Sequence, residues 1–326
     1  MATIDDSLKV FFKEHKTTAA LINWMVFGGQ PVVKPSQIQE STADESFFHF
    51  GGDDKFRSLS RQRDVCKVVS CVKDNQRSYM VVGIENQTTV DQFMVGRALA
   101  MNMMNYLWQY GVISDRNRSK PSSNMTAGEF LYGFRVGDRL APVITLVIHW
   151  GREKWTAPLS FRELVKDTMP SVRDYIPDFR LPLLVATDFA EKKRHIDEPN
   201  LDLLLHYVGN VFAGKRKEFQ TILDANPSYQ HIRAATGQCI NAITGDCLPV
   251  PANPEETFNM KTAGELYREE LRKEGMQAGM QAGKQEVFRM FVESSRRKKR
   301  SDAEIQQSLM EDFQLTSDEA KGLVNR

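Results

Sequence analysis

The sequence predicts an α/β protein, a mixed sheet flanked by helices, with an α-helical C-terminal region. Two stretches carry this prediction. Residues 64–84 read as a hairpin: Asp64-Val65-Cys66-Lys67-Val68-Val69-Ser70-Cys71-Val72 is rich in β-branched residues, 73–78 is a polar turn, and Tyr79-Met80-Val81-Val82-Gly83-Ile84 is a second strand. Pro142-Val143-Ile144-Thr145-Leu146-Val147-Ile148-His149-Trp150 is an almost unbroken apolar run, the pattern of a strand covered on both faces. One helix precedes the hairpin and another separates it from that strand. The order helix, strand, strand, helix, strand favours a sandwich over a bundle or barrel.

Taken in order, residues 5–27 carry Phe11, Phe12, Ala19, Ile22 and Val26 at helical spacing, and Gly28-Gly29 stops the helix. Residues 35–62 are polar and weakly patterned, a loop or short strand carrying Phe47, Phe48 and Phe50. After the hairpin, 91–110 reads as a helix with Phe93, Leu99 or Ala100, Met103 or Met104, and Leu107 facing inward. Residues 115–124 read as a variable loop, 179–186 as a further strand, and the chain turns helical from Asn200. Prolines 249, 251 and 254 mark a linker around 249–261. The expected divisions are a core at 1–190, a helical extension and linker at 191–260, and a helical tail at 261–326. In the tail, Thr262 with Glu265, Ser301 with Glu304, and Thr316 with Glu319 each fit a capping box. Gly275, Gly279 and Gly283 make a stripe without side chains. It fits close helix–helix approach, within the chain or across a homodimer, and equally a flexible repeat. The run Arg296-Arg297-Lys298-Lys299-Arg300 fits a solvated helix end better than a phosphate contact.

Composition narrows the function classes. A hydrophobic fraction of 41% and a charged fraction of 26% are those of an ordinary soluble protein. No run approaches the roughly 18 apolar residues that span a bilayer, and MATIDDSLKVFFKEH lacks the pattern of a secretory signal. The four cysteines form no Cys-x-x-Cys pair, which suits free thiols in a cytoplasmic protein. A net charge of +1 argues against coating nucleic acid by bulk attraction and leaves room for a local basic groove. The six histidines show neither His-x-x-x-His nor His-Glu-x-x-His spacing, so zinc hydrolysis has no support here.

The hairpin carries the candidate site. With its turn centred between Asn75 and Gln76, Asp64 lies opposite Gln87 and Cys66 opposite Glu85. Side chains alternate along a strand, so Asp64, Cys66, Glu85 and Gln87 share one face at the open end of the hairpin. Two neighbouring carboxylates repel, and a hard divalent cation resolves that conflict. Magnesium takes one or two carboxylates, keeps waters and accepts phosphate oxygens, which suits phosphodiester hydrolysis. Asp64 and Glu85 are the expected metal ligands. Gln87 is expected to hold water or a phosphate oxygen through its amide.

At these residues the chain resembles the Rpn group of recombination-promoting nucleases and YhgA-like transposases, within the PD-(D/E)XK nuclease superfamily. The resemblance runs through Arg63-Asp64-Val65, Gly83-Ile84-Glu85-Asn86-Gln87, Met94 to Arg97, and the strand 142–150 with Trp155 and Pro158 after it. The glycine repeat and the Thr-Ser-Asp-Glu-Ala ending resemble the family's tail. It implies a restriction-endonuclease-like core and a magnesium-dependent DNA endonuclease, with manganese as a substitute, linked to recombination, mobile elements or phage defence. It places metal binding on Asp64 and Glu85, puts Gln87 where the superfamily's usual lysine stands, and offers Arg97 as a contact to the scissile phosphate or as a rim salt bridge. Two positions depart from the family's pattern. Ala20 stands where relatives often carry an acid in the first helix, with Glu14 as a candidate substitute, and Met101-Asn102 stands for Tyr-Asp. These departures motivate an alternative: a catalytically weakened nuclease-fold protein that binds DNA or regulates. A true transposase fits least, since no helix-turn-helix or zinc motif for reading DNA ends is evident.

Overall fold

A computed structural model describes residues 3–40, 46–49, 57–60, 64–73, 76–120, 125–166, 169–190 and 195–325. Of the sequence features, Phe50, Arg63 and the turn residues Asp74 and Asn75 lie outside the described residues. The chain forms two compact units, 1–263 and 264–326. No helix among the described residues is long and apolar enough to cross a membrane.

The first unit is a mixed α/β structure, as the sequence predicts. Its strands are β1 (Ile38–Glu40), β2 (Ser46–His49), β3 (Arg57–Ser60), β4 (Val65–Lys73), β5 (Gln76–Gln87), β6 (Val143–His149), β7 (Leu183–Val185), β8 (Ile232–Arg233) and β9 (Thr257–Phe258). The main sheet has the order β1-β4-β5-β6-β7. β4 is antiparallel to β1 and β5, while β6 runs parallel to β5 and β7. Two small ribbons, β2-β3 and β8-β9, stand apart from it.

Its helices are α1 (Ile4–Phe11), α2 (His15–Phe27), α3 (Met94–Ser119), α4 (Ala127–Tyr132), α5 (Phe161–Leu164), α6 (Pro170–Arg173), α7 (Pro199–Phe212), α8 (Arg216–Ala225) and α9 (Ala234–Thr244). The single helix expected over 5–27 is therefore two. Glu14 accepts the N–H of Lys16 and caps α2, and the Thr18 hydroxyl donates to the Phe12 carbonyl, 2.9 Å. These side-chain bonds hold a corner that apolar periodicity alone cannot show. α7 is buried from Leu201 to Asn210 and packs on α8, α9 and a 3-10 segment at 186–190. Gly209 permits that last approach, because a Cβ there would stand 2.7 Å from the Ala186 carbonyl oxygen.

α3 is longer than predicted and turned differently. Met94, Val95, Ala98, Met101, Asn102 and Asn105 are among its buried residues, while Phe93, Met103 and Leu107 are exposed. The sheet-facing stripe contains two asparagines, and Asn102 accepts the Thr145 hydroxyl at 2.7 Å. A polar group satisfied inside the core breaks the hydrophobic period from which the inward face was read.

The second unit comprises most of α10 (Met260–Arg297) with α11 (Asp302–Phe313) and α12 (Ser317–Val324). Val292, Ile305, Leu309, Ala320 and Val324 form its core, with Phe288 and Phe291 edge-on to Phe313. The capping boxes at Ser301 and Thr316 form as predicted. The one at Thr262 does not. Asn259 takes that place, its side chain accepting from the N–H groups of Lys261 and Thr262.

Candidate active site

The hairpin ladder pairs Val65 with Ile84, Cys66 with Gly83, and so on to Lys73 with Gln76. The predicted partners, Asp64 with Gln87 and Cys66 with Glu85, are thus two residues out of register. The strands run further toward the turn than a six-residue connection allows. A shift of two preserves the faces, since only an odd slip exchanges them. Asp64 is the residue just before β4, and continuing the ladder one step sets it across from Glu85. Cross-strand neighbours stand about 4.5–5.5 Å apart at Cβ.

Each residue of the Ile-Glu-Asn-Gln block has a distinct task. Ile84 is fully buried on the face opposite Glu85. Glu85 is 2% exposed, on the face that carries Thr145 and Val147, against which α3 packs. Asn86 grips both neighbours: its N–H donates to Asp64 Oδ2 at 2.7 Å, and its Oδ1 accepts from Trp150 Nε1 at 2.9 Å. The Gln87 carbonyl accepts the Trp150 N–H at 2.8 Å. The Gln87 side chain is half-buried and makes no hydrogen bond within the described residues. Gly151 completes the closure, since a Cβ there would stand 2.4 Å from the Thr88 carbonyl oxygen.

Arg97, one turn into α3, spans two acids. Its Nη1 donates to Asp91 Oδ2 at 2.6 Å, and its Nη2 lies 3.8 Å from Glu85 Oε2. Asp91 also accepts the Phe93 N–H at 2.8 Å, so the loop entering α3 aims the guanidinium. Burial holds the Asp64 carboxyl above the usual carboxylate range, and the charge of Asp5 adds to this. The Asn86 N–H, Lys9 and Arg97 pull the other way without reversing it. The donor set is carboxylate, carboxylate and amide, with neither thiol nor imidazole. Hard oxygen ligands of this kind suit magnesium or manganese.

Three members of this cluster have no forecast in the sequence reading: Asp5, Lys9 and Asp91. Asp5 and Lys9 form an i,i+4 pair at 2.6 Å on α1, visible as a pattern, but only the packing of α1 brings them near Asp64. Glu14, the candidate substitute acid of the first helix, is engaged elsewhere. It caps α2 and lies 3.9 Å from Arg233. Asp5 is the acid of α1 whose charge helps to raise the Asp64 carboxyl. Asn102, one of the two departures noted from the resemblance, is buried against Thr145 two positions along the sheet from Glu85's neighbour Val147.

The family model described as "Putative transposase, YhgA-like" matches residues 61–228, about half of the chain. The chain belongs to that family. The resemblance read from Asp64-Val65 and the Ile-Glu-Asn-Gln block is therefore borne out. The YhgA-like match contains Asp64, Glu85, Gln87, Asp91 and Arg97, whereas α1 precedes it and α9 to α12 follow it. Neither the curated proteins nor the solved structures yield a match.

Proposed function

We propose that this YhgA-like protein is a magnesium-dependent DNA endonuclease, built on a PD-(D/E)XK core and acting in the cytoplasm on recombining, mobile or invading DNA. The observation that carries the reading is the Asn86 N–H holding Asp64 Oδ2 at the end of the hairpin, next to Glu85 and its Arg97 guanidinium. A sheet with three antiparallel strands continued by two parallel ones, with helices against it, supports the core assignment. Asp64 and Glu85 would hold magnesium, or manganese in its place. The ion, when bound, supplies Lewis acidity toward the phosphate and lowers the pKa of a water beside it. Gln87 offers its amide to that water or to a phosphate oxygen. Arg97 supplies the fixed positive charge that no lysine provides at Gln87, and its planar fork suits a phosphate oxygen pair. Incubating supercoiled plasmid with the purified protein over a magnesium and manganese series tests the proposal. Absence of nicked product at every metal concentration removes it.

A DNA-binding or regulatory protein without cleavage is the second reading. It is favoured by Asn102, whose side chain is committed to Thr145 in the core. Binding in a gel-shift assay with no metal-dependent cutting selects it.

Asp64 gives a stability prediction that needs no substrate. A carboxyl raised by burial binds its proton more tightly folded than unfolded, so folding is opposed once pH exceeds the raised value. In metal-free protein at pH 7, Asp64→Asn is expected to raise the melting temperature. The amide oxygen can still accept the Asn86 N–H. The gain shrinks as pH falls toward the ordinary aspartate range, where both side chains are neutral. Thermal melts between pH 4 and 8 check this, and an acid-favoured difference of opposite sign refutes it.

The tail is proposed to form a homodimer. At 3.6 residues per turn, Gly275, Gly279 and Gly283 drift only about 80° around α10. The exposed Met276, Met280, Val287 and Met290 continue the same side. Truncation before Met260 is expected to lower the mass measured by light scattering to about two-fifths, from full-length dimer to shortened monomer. A full-length chain that is already monomeric excludes the dimer.

A further inference from the structure

A second cluster of metal-ligating side chains lies in the first unit, on residues the endonuclease reading does not use. His195, Asp202 and His206 each offer one ligand atom, and these atoms all lie within 4.8 Å of one another. Asp202 and His206 stand one turn apart on α7, with His206 Nε2 3.6 Å from Asp202 Oδ1. His195, in the segment before α7, brings Nδ1 to 3.0 Å from Asp202 Oδ2. We propose that these three residues bind a zinc-type transition-metal ion that fastens the segment before α7 onto that helix.

The geometry and chemistry both fit. Tetrahedral zinc with bonds near 2.0–2.1 Å separates its ligands by about 3.3 Å; the imidazole nitrogens approach the carboxylate at 3.0 Å (His195 to Oδ2) and 3.6 Å (His206 to Oδ1), and one ligand atom from each residue lies within 4.8 Å of the others. Two imidazoles and one carboxylate favour zinc and its first-row neighbours over magnesium, which prefers oxygen alone. The carboxylate is held from outside the trio. Tyr229 donates its hydroxyl to Oδ2 at 2.6 Å, and the Ile196 N–H donates to Oδ1 at 2.8 Å. Such outer partners fix a ligand's orientation and are typical of built metal sites. The Phe189 ring packs edge-on against His206. Asp202 and His206 are buried, while His195 is half-exposed and lines a cavity of about 630 Å³ with Trp24, Pro182, Asp188 and Phe189. That cavity gives room for a fourth, exogenous ligand.

The test uses the full chain carrying Glu85→Gln, so that the carboxylate pair of the hairpin does not add to the count. After removal of metal by a chelator, the protein is titrated with zinc, and bound metal is measured by mass spectrometry of the dialysed sample. Cobalt absorption reports coordination number. The expected results are one zinc per chain, a melting temperature that rises with zinc concentration, and cobalt bands of a four-coordinate site without thiolate charge transfer. Adding His195→Ala should weaken zinc binding at least tenfold and abolish the thermal response, while the metal-free melting temperature changes little. Because His195 is half-exposed, this variant tests the site without emptying the core. Less than a tenth of an equivalent bound at micromolar zinc overturns the proposal, and so does unchanged affinity in the His195→Ala chain. Either result would leave Asp202 as a hydrogen-bond hub for two histidines, Tyr229 and the backbone.

Discussion

Glu85→Gln is expected to lower the rate of plasmid nicking in magnesium by roughly a hundred- to a thousandfold, the loss seen when one group stabilising developing charge is removed. The substitution keeps volume and hydrogen-bonding atoms at a position only 2% exposed, so packing against α3 should persist. What changes is charge. Arg97 keeps its bond to Asp91 but loses its second acid, and Asp64 becomes the lone carboxylate of the pair. Asp64→Asn should cost a similar factor, and the double variant little more, because two ligands of one ion act as a unit. Gln87→Ala removes a neutral amide and should cost about tenfold at most. The check is a single-turnover nicking series on folded, matched samples, with magnesium affinity measured by calorimetry. Cleavage by Glu85→Gln within threefold of the parent would place the chemistry elsewhere.

The parts of this site that were legible in the sequence are those set by local periodicity. Period two along a strand put Asp64, Glu85 and Gln87 on one face, and an even register error left that result standing. Turn length was not legible. β-branched residues announce a strand, but nothing local told whether Lys73 and Gln76 were pairing or turning. The polar members of α3 misled for a related reason: Asn102 and Asn105 look solvent-facing until Thr145 supplies a partner for one of them. Asp5 and the His195, Asp202 and His206 cluster required tertiary packing. No spacing rule for histidines on a single helix detects a pair eleven positions apart, joined through an aspartate. Ser301 and Thr316 mark the opposite extreme, where a cap and its glutamate lie within four residues and the sequence alone suffices.

Glu40→Ala is expected to destabilise the protein by about 3 kcal/mol, whereas Lys67→Met, at the other end of the same ion pair, should be close to neutral. Lys67 is the fully buried partner, 0% exposed near the start of β4, while Glu40 on β1 is 60% exposed. Lys67 Nζ donates to Glu40 and lies 3.5 Å from the Lys13 carbonyl oxygen at the corner between α1 and α2. Removing Glu40 strands an ammonium where water does not reach, and one carbonyl cannot compensate for it. Replacing the lysine by an apolar chain of similar length removes that burden and leaves Glu40 in solvent, with His15 Nε2 still 3.7 Å away. At about 2–4 °C per kcal/mol for a domain of this size, Glu40→Ala should lower the melting temperature by roughly 6–12 °C. Equal losses from the two variants would contradict the argument. The asymmetry also bears on function. Lys67 points away from the Asp64 face, yet it ties down the end of α1, the helix that carries Asp5 and Lys9 toward Asp64. Lys67→Met should therefore retain stability while loosening that helix, and a fall in nicking rate without a fall in melting temperature is its expected signature.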